Sequence, residues 1–312
     1  MAASPAAHGT QAHPALDALI QRAAARADKP VIAVVYPCEA QALSACQDIV
    51  KANIATLALV GPATRIRELG ASLKLDLGSM TLVDTPDDPK AAAQRAAEMV
   101  RDGSATVLMK GSLHTDELMA VLVSRDAGLR TSRRISHVFY FSLPRYDKPL
   151  MLADCVVNIA PDLPTKRDIV QNAIDLAHAL SISAPKVGIL SATESVNPAI
   201  PGTLDAAALC KMADRGQLTG GIIDGPLAFD NAISAEAARI KGIASPVAGQ
   251  PDILIAPNLE TGNTLYKSFV YLGGAECAGL VLGARVPVVL TSRADSAYAR
   301  LASAALGVLA AR

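Results

Sequence analysis

The stretch VPVVLTSRADSA, residues 286–297, sets the terms for reading the whole chain. Val288 to Leu290 form a short, fully apolar run that reads as a buried strand. It ends abruptly in Thr291-Ser292-Arg293, and a helix opens near Asp295 and Ser296. A buried strand that feeds a helix through a polar loop is one parallel βα unit. Working outward, the same unit recurs. PVIAVVY (30–36), ATLALVG (55–61), MTLVDT (80–85) and ATVLMKG (105–111) read as strands, interleaved with helices over residues 38–52 and 88–102 and preceded by a helix from Ala15. Further along, KVGIL (186–190), GGIID (220–224), DILIA (252–256) and AGLVLG (278–283) read as strands. Helices are expected over 165–182, 203–215, 233–241, 259–272 and 296–311. Strands that are apolar throughout, rather than alternating, fit a sheet covered on both faces.

The rhythm breaks once. HVFYFSLP (137–144) and LMLADCVV (150–157) are two strand-like runs joined by the polar segment RYDKP, which reads as a hairpin or arm. The natural division is therefore into two α/β lobes separated near residue 144. At 312 residues the chain has room for two domains or one large α/β unit. Its 51% hydrophobic and 19% charged content excludes a disordered chain and demands a large core. Lys+Arg and Asp+Glu are 29 each, so no global basic field exists to drive nucleic-acid binding. At 3% aromatic residues, stacking platforms for single strands are not expected either. The five cysteines, Cys38, Cys46, Cys155, Cys210 and Cys277, are dispersed and form no C-x-x-C pair, which fits reduced thiols and a cytoplasmic location. No apolar run reaches membrane-spanning length, and MAASPAAHGTQAHP at the start reads as a short disordered tail (1–14), not a secretory signal.

In open α/β sheets ligands bind beyond the carboxyl ends of strands. The loops of interest are those after VLM, GIID, LIA and VVL. None carries a dinucleotide fingerprint, a Walker A loop, a zincin motif or a nucleophile elbow. At 291–296, hydroxyls, a guanidinium and a helix start together make an anion site, although Thr291 and Ser292 could simply cap the helix. In APNLETGNTLYK (256–267), Asn258, Glu260, Gly262, Asn263 and Lys267 open a helix. Gly262 in its first turn costs up to about 1 kcal/mol of helix propensity, which is easier to understand if a ligand approaches the backbone. The alternative is a capped helix with Asn258 as the cap. MKGSLHTDE (109–117) is a weaker phosphate-friendly turn. The run GLRTSRRISH (128–137) gathers Arg130, Arg133 and Arg134 and, against zero net charge, is a candidate for a multiply charged ligand or a solvated face. Asp154, Asp224 and Asp230 fall at loop positions, and Cys155 reads as a buried thiol with no identifiable histidine partner.

Seven segments, LMKG, SHVF, ADCVVNIAPD, DGPLAFDNAIS, APNLETGN, YLGGAE and PVVLTSRADS, run in that order from near Pro30 to the C-terminus. Together they resemble the phosphate acetyltransferase/phosphate butyryltransferase family, most closely the phosphotransacetylase portion of members fused to an enoyl-CoA hydratase-like domain. The resemblance implies a two-domain α/β fold like the isocitrate/isopropylmalate dehydrogenases, with a first domain of 15–143 plus 288–312, a second of 144–287 and an interdomain cleft. It implies reversible exchange of acyl phosphate and coenzyme A for acyl-CoA and phosphate, with CoA as a substrate and no permanently bound cofactor or metal. It implies a cytoplasmic homodimer whose partners are small molecules, with no nucleic acid and no membrane. By this likeness Ser292, Arg293 and Asp295 are the catalytic candidates, and Asn258, Glu260, Gly262, Lys267, Ser136 and Arg133 the substrate-binding ones. Two positions depart from acetyl-specific members. Ala299 stands where those carry an aspartate proposed as base, and Met119 where they carry an arginine. Two other classes stay open from sequence: a metal-dependent dehydrogenase of the same overall fold, and a non-catalytic acyl-CoA-binding module.

Overall fold

The computed structural model describes residues 12–292 and 295–311. Eleven strands form one sheet: β1 (Val31–Val35), β2 (Thr56–Gly61), β3 (Thr81–Asp84), β4 (Val107–Lys110), β5 (Ser136–Ser142), β6 (Leu150–Ala153), β7 (Lys186–Leu190), β8 (Ile222–Leu227), β9 (Ile253–Ile255), β10 (Glu276–Leu282) and β11 (Val288–Val289). Their spatial order is β3-β2-β1-β4-β11-β10-β5-β6-β9-β7-β8. The first five are parallel, as are β6, β9, β7 and β8. The two halves meet at β10 and β5, which pair antiparallel with each other and with their outer neighbours. The helices are α1 (Pro14–Ala24), α2 (Ala40–Lys51), α3 (Ala63–Ser72), α4 (Pro89–Arg101), α5 (Thr115–Val123), α6 (Leu163–Ala179), α7 (Pro201–Asp214), α8 (Phe229–Ile233), α9 (Ala235–Ile240), α10 (Leu259–Tyr271) and α11 (Ala297–Ala310).

Burial explains why the central strands are apolar throughout. Ile32, Ala33, Val34 and Val35 of β1, and Val107, Leu108 and Met109 of β4, are all buried, since helices cover both faces. The hairpin expected over 137–157 is present as β5 and β6, but β6 ends at Ala153. The Asp154 carboxylate stops it by accepting from the backbone N–H groups of Val156 (2.9 Å), Val157 (3.1 Å) and Asn158 (3.1 Å), which turns the chain out of the strand. The helix expected over 233–241 is divided. Ser234 ends α8 and its hydroxyl accepts from Ala237 N–H to cap α9. Helix α3 was not anticipated from the sequence.

Gly262 has a packing explanation. A Cβ there would lie 2.4 Å from the Asp154 carbonyl oxygen and 3.1 Å from the Cys155 Cα, because α10 rests directly on the turn after β6. The neighbouring Asn263 fastens the same contact by donating to the Cys155 carbonyl at 3.2 Å. The expectation that a ligand approaches the backbone at Gly262 is therefore corrected: the approaching group is the protein's own chain. Propensity and packing predict opposite signs here. Alanine at an open helical site would gain up to about 1 kcal/mol, whereas overpacking costs about 1–3 kcal/mol. Gly262→Ala is expected to lower the midpoint of urea unfolding, and a raised midpoint would refute the packing account.

Candidate active site

β4 and β11 run side by side with Val288 opposite Leu108 and Val289 opposite Met109. Their carboxyl ends therefore deliver Lys110 and the 290–292 loop to the same place. The two segments line a cavity of about 780 Å3 that opens between the halves of the sheet. The Lys110 ammonium is steered by the carbonyl oxygens of Gly111 (3.2 Å) and Leu113 (3.3 Å). The Ser292 backbone N–H donates to Asp295 Oδ2 at 2.6 Å. The Ser292 carbonyl accepts from Arg300 Nη2 at 3.0 Å, a guanidinium that also reaches Gln41. Both contacts fix the loop's backbone. The Asp295 carboxyl sits above the usual range, chiefly because burial disfavours its charge; the Ser292 N–H and Arg300 partly oppose this. Helix α11 begins just beyond, capped by Ser296, whose hydroxyl accepts from Ala299 N–H at 2.9 Å and donates to Glu276 at 3.2 Å.

The deeper wall is aromatic. Tyr266 of α10 stacks on Phe139 of β5 with centroids 4.1 Å apart, and the His137 ring is tilted against Phe139 with centroids 4.3 Å apart. His137 is 2% exposed. Burial pushes its imidazole down to about 4, against an opposing pull from Asp154, so the ring is neutral near pH 7. Cys277, which lines the cavity, and Cys155 are buried thiols whose ionisation burial pushes upward, so neither is a ready nucleophile.

Of the candidates read from sequence, Ser292, Asp295 and Lys267 share this cavity, and Ala299 forms part of its wall. Arg293 lies outside the described residues. Asn258 caps α10 by accepting from Thr261 N–H at 2.9 Å, and it lines a second cavity of about 650 Å3 beside the Lys166–Asp205 pair. Glu260 is exposed in the first turn of the same helix. Two candidates do not join the site. Arg133 is ion-paired with Asp175 and lines a third cavity with Thr106 and Pro287, the residues that precede β4 and β11. Ser136 is fully buried, its hydroxyl accepting from Asn172 at 2.9 Å. The reason is directional: the arginine run enters β5, which points the same way as β4, so it falls at the opposite end of the sheet from Lys110. Arg130 and Arg134 belong to that end too, Arg130 bridging to Ala284 and Arg134 N–H donating to Asp168. Met119 packs against the core. His137, Glu276 and Tyr266 were not singled out from sequence. The signal for His137 is present, since it opens the otherwise unbroken hydrophobic run HVFYF, where an apolar residue is expected.

Two of the acidic residues expected in loops lie in elements instead, Asp224 in β8 and Asp230 in α8, and are committed elsewhere. Asp224 accepts from Gly225 N–H, and Asp230 faces Lys241 at 3.2 Å. Among the described residues no group of three or more His, Cys, Asp or Glu side chains is placed to hold a metal ion, and no helix is long and apolar enough to cross a membrane.

Comparison with known proteins places this geometry. The family described as "Phosphate acetyl/butaryl transferase" matches residues 90–308. A phosphate acetyltransferase of Rhizobium meliloti is 54% identical over 92% of this chain and 91% of its own length. A phosphate butyryltransferase of Clostridium acetobutylicum is 41% identical over 90% of this chain and 93% of its own. Among solved structures, a branched-chain phosphotransacylase from Enterococcus faecalis V583 superposes with a TM-score of 0.78 at 29% identity, covering 90% of this chain and 98% of that one. The fold alone is shared with a 4-hydroxythreonine-4-phosphate dehydrogenase from Klebsiella pneumoniae, at a TM-score of 0.56 and 11% identity over 91% of this chain and 100% of that one. The family's match across most of the sheet, and relatives this similar over nearly the whole length, lead to one conclusion: the chain belongs to the phosphate acetyl/butaryl transferase family.

Proposed function

We propose that the chain is a phosphate acetyltransferase, converting acetyl phosphate and coenzyme A into acetyl-CoA and phosphate, and that the 780 Å3 cavity is where it does so. The observation that carries the reading is the convergence of Lys110 and Ser292 from adjacent strand ends on a cavity that also holds Asp295 and Lys267. In the reaction the thiol sulfur of CoA forms a bond to the acyl carbon, the bond from that carbon to the phosphate oxygen breaks, and the thiol proton ends on the released phosphate or a base. A cationic wall suits both the leaving phosphate and the phosphates of CoA. Asp295, whose carboxyl burial has raised, suits the acceptor of the thiol proton. Ser292 is assigned the hydrogen bond to the reacting acyl phosphate, and Arg293 a charge-assisted bond to a phosphate. Asn258, Glu260 and Gly262 act as the frame that sets α10, and with it Lys267, against the cavity.

The reading carries further assignments. CoA is a substrate rather than a resident cofactor. The halves on either side of the β10–β5 pair act as two domains, 15–143 with 288–312 and 144–287, and the cleft is the active site. The protein works as a homodimer in the cytoplasm; five free cysteines are compatible with that compartment. A longer acyl chain, as in butyryl phosphate, is the second reading. It is favoured by Ala299, a small apolar side chain on the cavity wall, and by the likeness to a butyryltransferase.

Thioester formation from CoA is expected with acetyl phosphate in the absence of added metal or nucleotide. The ratio of kcat/KM for acetyl and butyryl phosphate then decides between the two substrates, and no turnover with either overturns the assignment. Ser292→Ala is expected to lower kcat by about 10²-fold, as for loss of one donor to a developing oxyanion. Arg293→Ala removes a charge-assisted bond worth about 1.5–3 kcal/mol and is expected to raise KM for CoA or acyl phosphate; unchanged KM for both would take Arg293 out of the site. Cys155→Ala is expected to keep turnover close to that of the parent protein, because its thiol is buried and protonated. A folded but inactive variant would make Cys155 the nucleophile instead.

A further inference from the structure

One polar side chain in the cavity has no structural task. His137 of β5 lines the cavity, yet its Nδ1 is fully buried with no hydrogen-bond partner among the described residues. A buried polar atom left unpaired costs stability, and nothing in the packing requires a nitrogen there. Asp154 does not serve as the partner, since its two oxygens are taken by Val156, Val157 and Asn158. The ring packs against Phe139 and against Gly279 of β10. A Cβ at position 279 would fall 3.0 Å from Nε2 and 3.1 Å from Cε1, so the glycine makes room for this imidazole. Gly279 itself lines the cavity, which places the Nε2 edge at the cavity wall.

The tautomer follows from the same geometry. A neutral imidazole carries one N–H. A buried donor without an acceptor is rarer and costlier than an unused lone pair, so the proton belongs on Nε2 and the lone pair on the enclosed Nδ1. The burial that keeps the ring neutral means it presents this N–H without carrying a charge of its own.

We propose that His137 is a catalytic residue that donates a hydrogen bond through Nε2–H to the acyl carbonyl oxygen as the CoA thiol attacks. The proposal rests on the acyl-transfer reading above. The carbonyl oxygen gains negative charge in that step, and a fixed donor in a water-poor site stabilises it far more than a solvated one would. The same contact places the acyl group against Phe139 and Tyr266, leaving the phosphate toward Lys110 and Ser292.

The test uses the full chain, with wild type first required to form acetyl-CoA; failure there counts against the function and not against His137. Given an active wild type, His137→Phe and His137→Gln are compared for kcat, KM and thermal unfolding. The Phe variant keeps a ring but lacks a donor, and is expected to lose about 10²-fold in kcat with little change in KM for CoA. The Gln variant places an amide N–H near the former Nε2 and is expected to recover most of that loss. A folded Phe variant with undiminished kcat, or a Gln variant as slow as Phe, overturns the proposal. Infrared difference spectra of bound acetyl-CoA labelled at the carbonyl carbon give a second readout that does not depend on variants folding. The carbonyl band is expected at lower frequency on wild type than in solution, and an unshifted band overturns the assignment.

Discussion

Two residues hold the arrangement together. Val288 and Val289 make up all of β11, both fully buried, and pair in parallel with β4 on one side while Val288 meets Val281 of β10 on the other. This pairing inserts the last strand of the chain into the middle of a sheet whose first half was completed some 180 residues earlier in sequence, at Lys110. Everything functional in the proposed site depends on that insertion. It sets Ser292 beside Lys110, starts α11 over β10, and lets Arg300 reach back to hold the Ser292 carbonyl. A closing segment this short gains little from its own propensity. Its stability comes from burial between neighbours on both edges, where each valine contributes roughly 1.5–3 kcal/mol.

The antiparallel β5–β10 pair is the second constraint, and it determines what each half can offer. Parallel strands gather their carboxyl ends on one side, and a reversal in the middle lets side chains from the two halves face one cavity. Glu276 from the start of β10 meets Ser292 after β11 and His137 and Phe139 of β5 because β10 runs against both of those strands and not because the residues are near in sequence. The resulting environment is graded. Its rim holds Lys110, Lys267, Glu276 and Ser296, while its depth is aromatic and apolar enough to raise the Asp295 carboxyl and keep His137 neutral. Such a gradient suits a substrate with a highly charged end and a small apolar end, which describes an acyl phosphate.

Much of this was legible in the sequence, and the failures are instructive. The strands could be read because burial on both faces forces unbroken apolar runs, and the strand-loop-helix pattern at 286–297 pointed to a strand end that lines the cavity. Chain order also showed that residues after β4 and β11 would be candidates. It could not show that Arg133, which precedes β5, and Ser136, the first residue of β5, lie outside the same cavity. That requires knowing that β5 runs with β4, which depends on β10 pairing antiparallel with β5 and with β11, the parallel neighbour of β4. Gly262 misled for a related reason. A glycine in a first helical turn reports a close approach, but composition cannot say whether the approaching group is a ligand or the turn at Asp154 and Cys155. Asn258 was read with both possibilities open, and the structure shows the cap.

The balance of 29 basic and 29 acidic residues is no obstacle to a site for anions, because part of the charge is spent locally. Arg26 with Asp28, Arg95 with Glu98, Lys211 with Asp214 and Arg239 with Glu236 are short-range, solvent-exposed pairs that contribute little stability and project little field. Lys110 and Lys267 differ in what surrounds them: their potential is directed into a concave site with low-dielectric walls. Field lines concentrate in such a site, and a polyanionic substrate senses the local lining rather than the sum over the surface. Net charge thus argues against a partner that must read the whole surface, such as a nucleic acid, and says nothing against a small phosphorylated molecule that enters one cleft. The distinction turns on the size of the ligand relative to the screening length, about 8 Å at physiological salt, beyond which the paired surface charges become invisible.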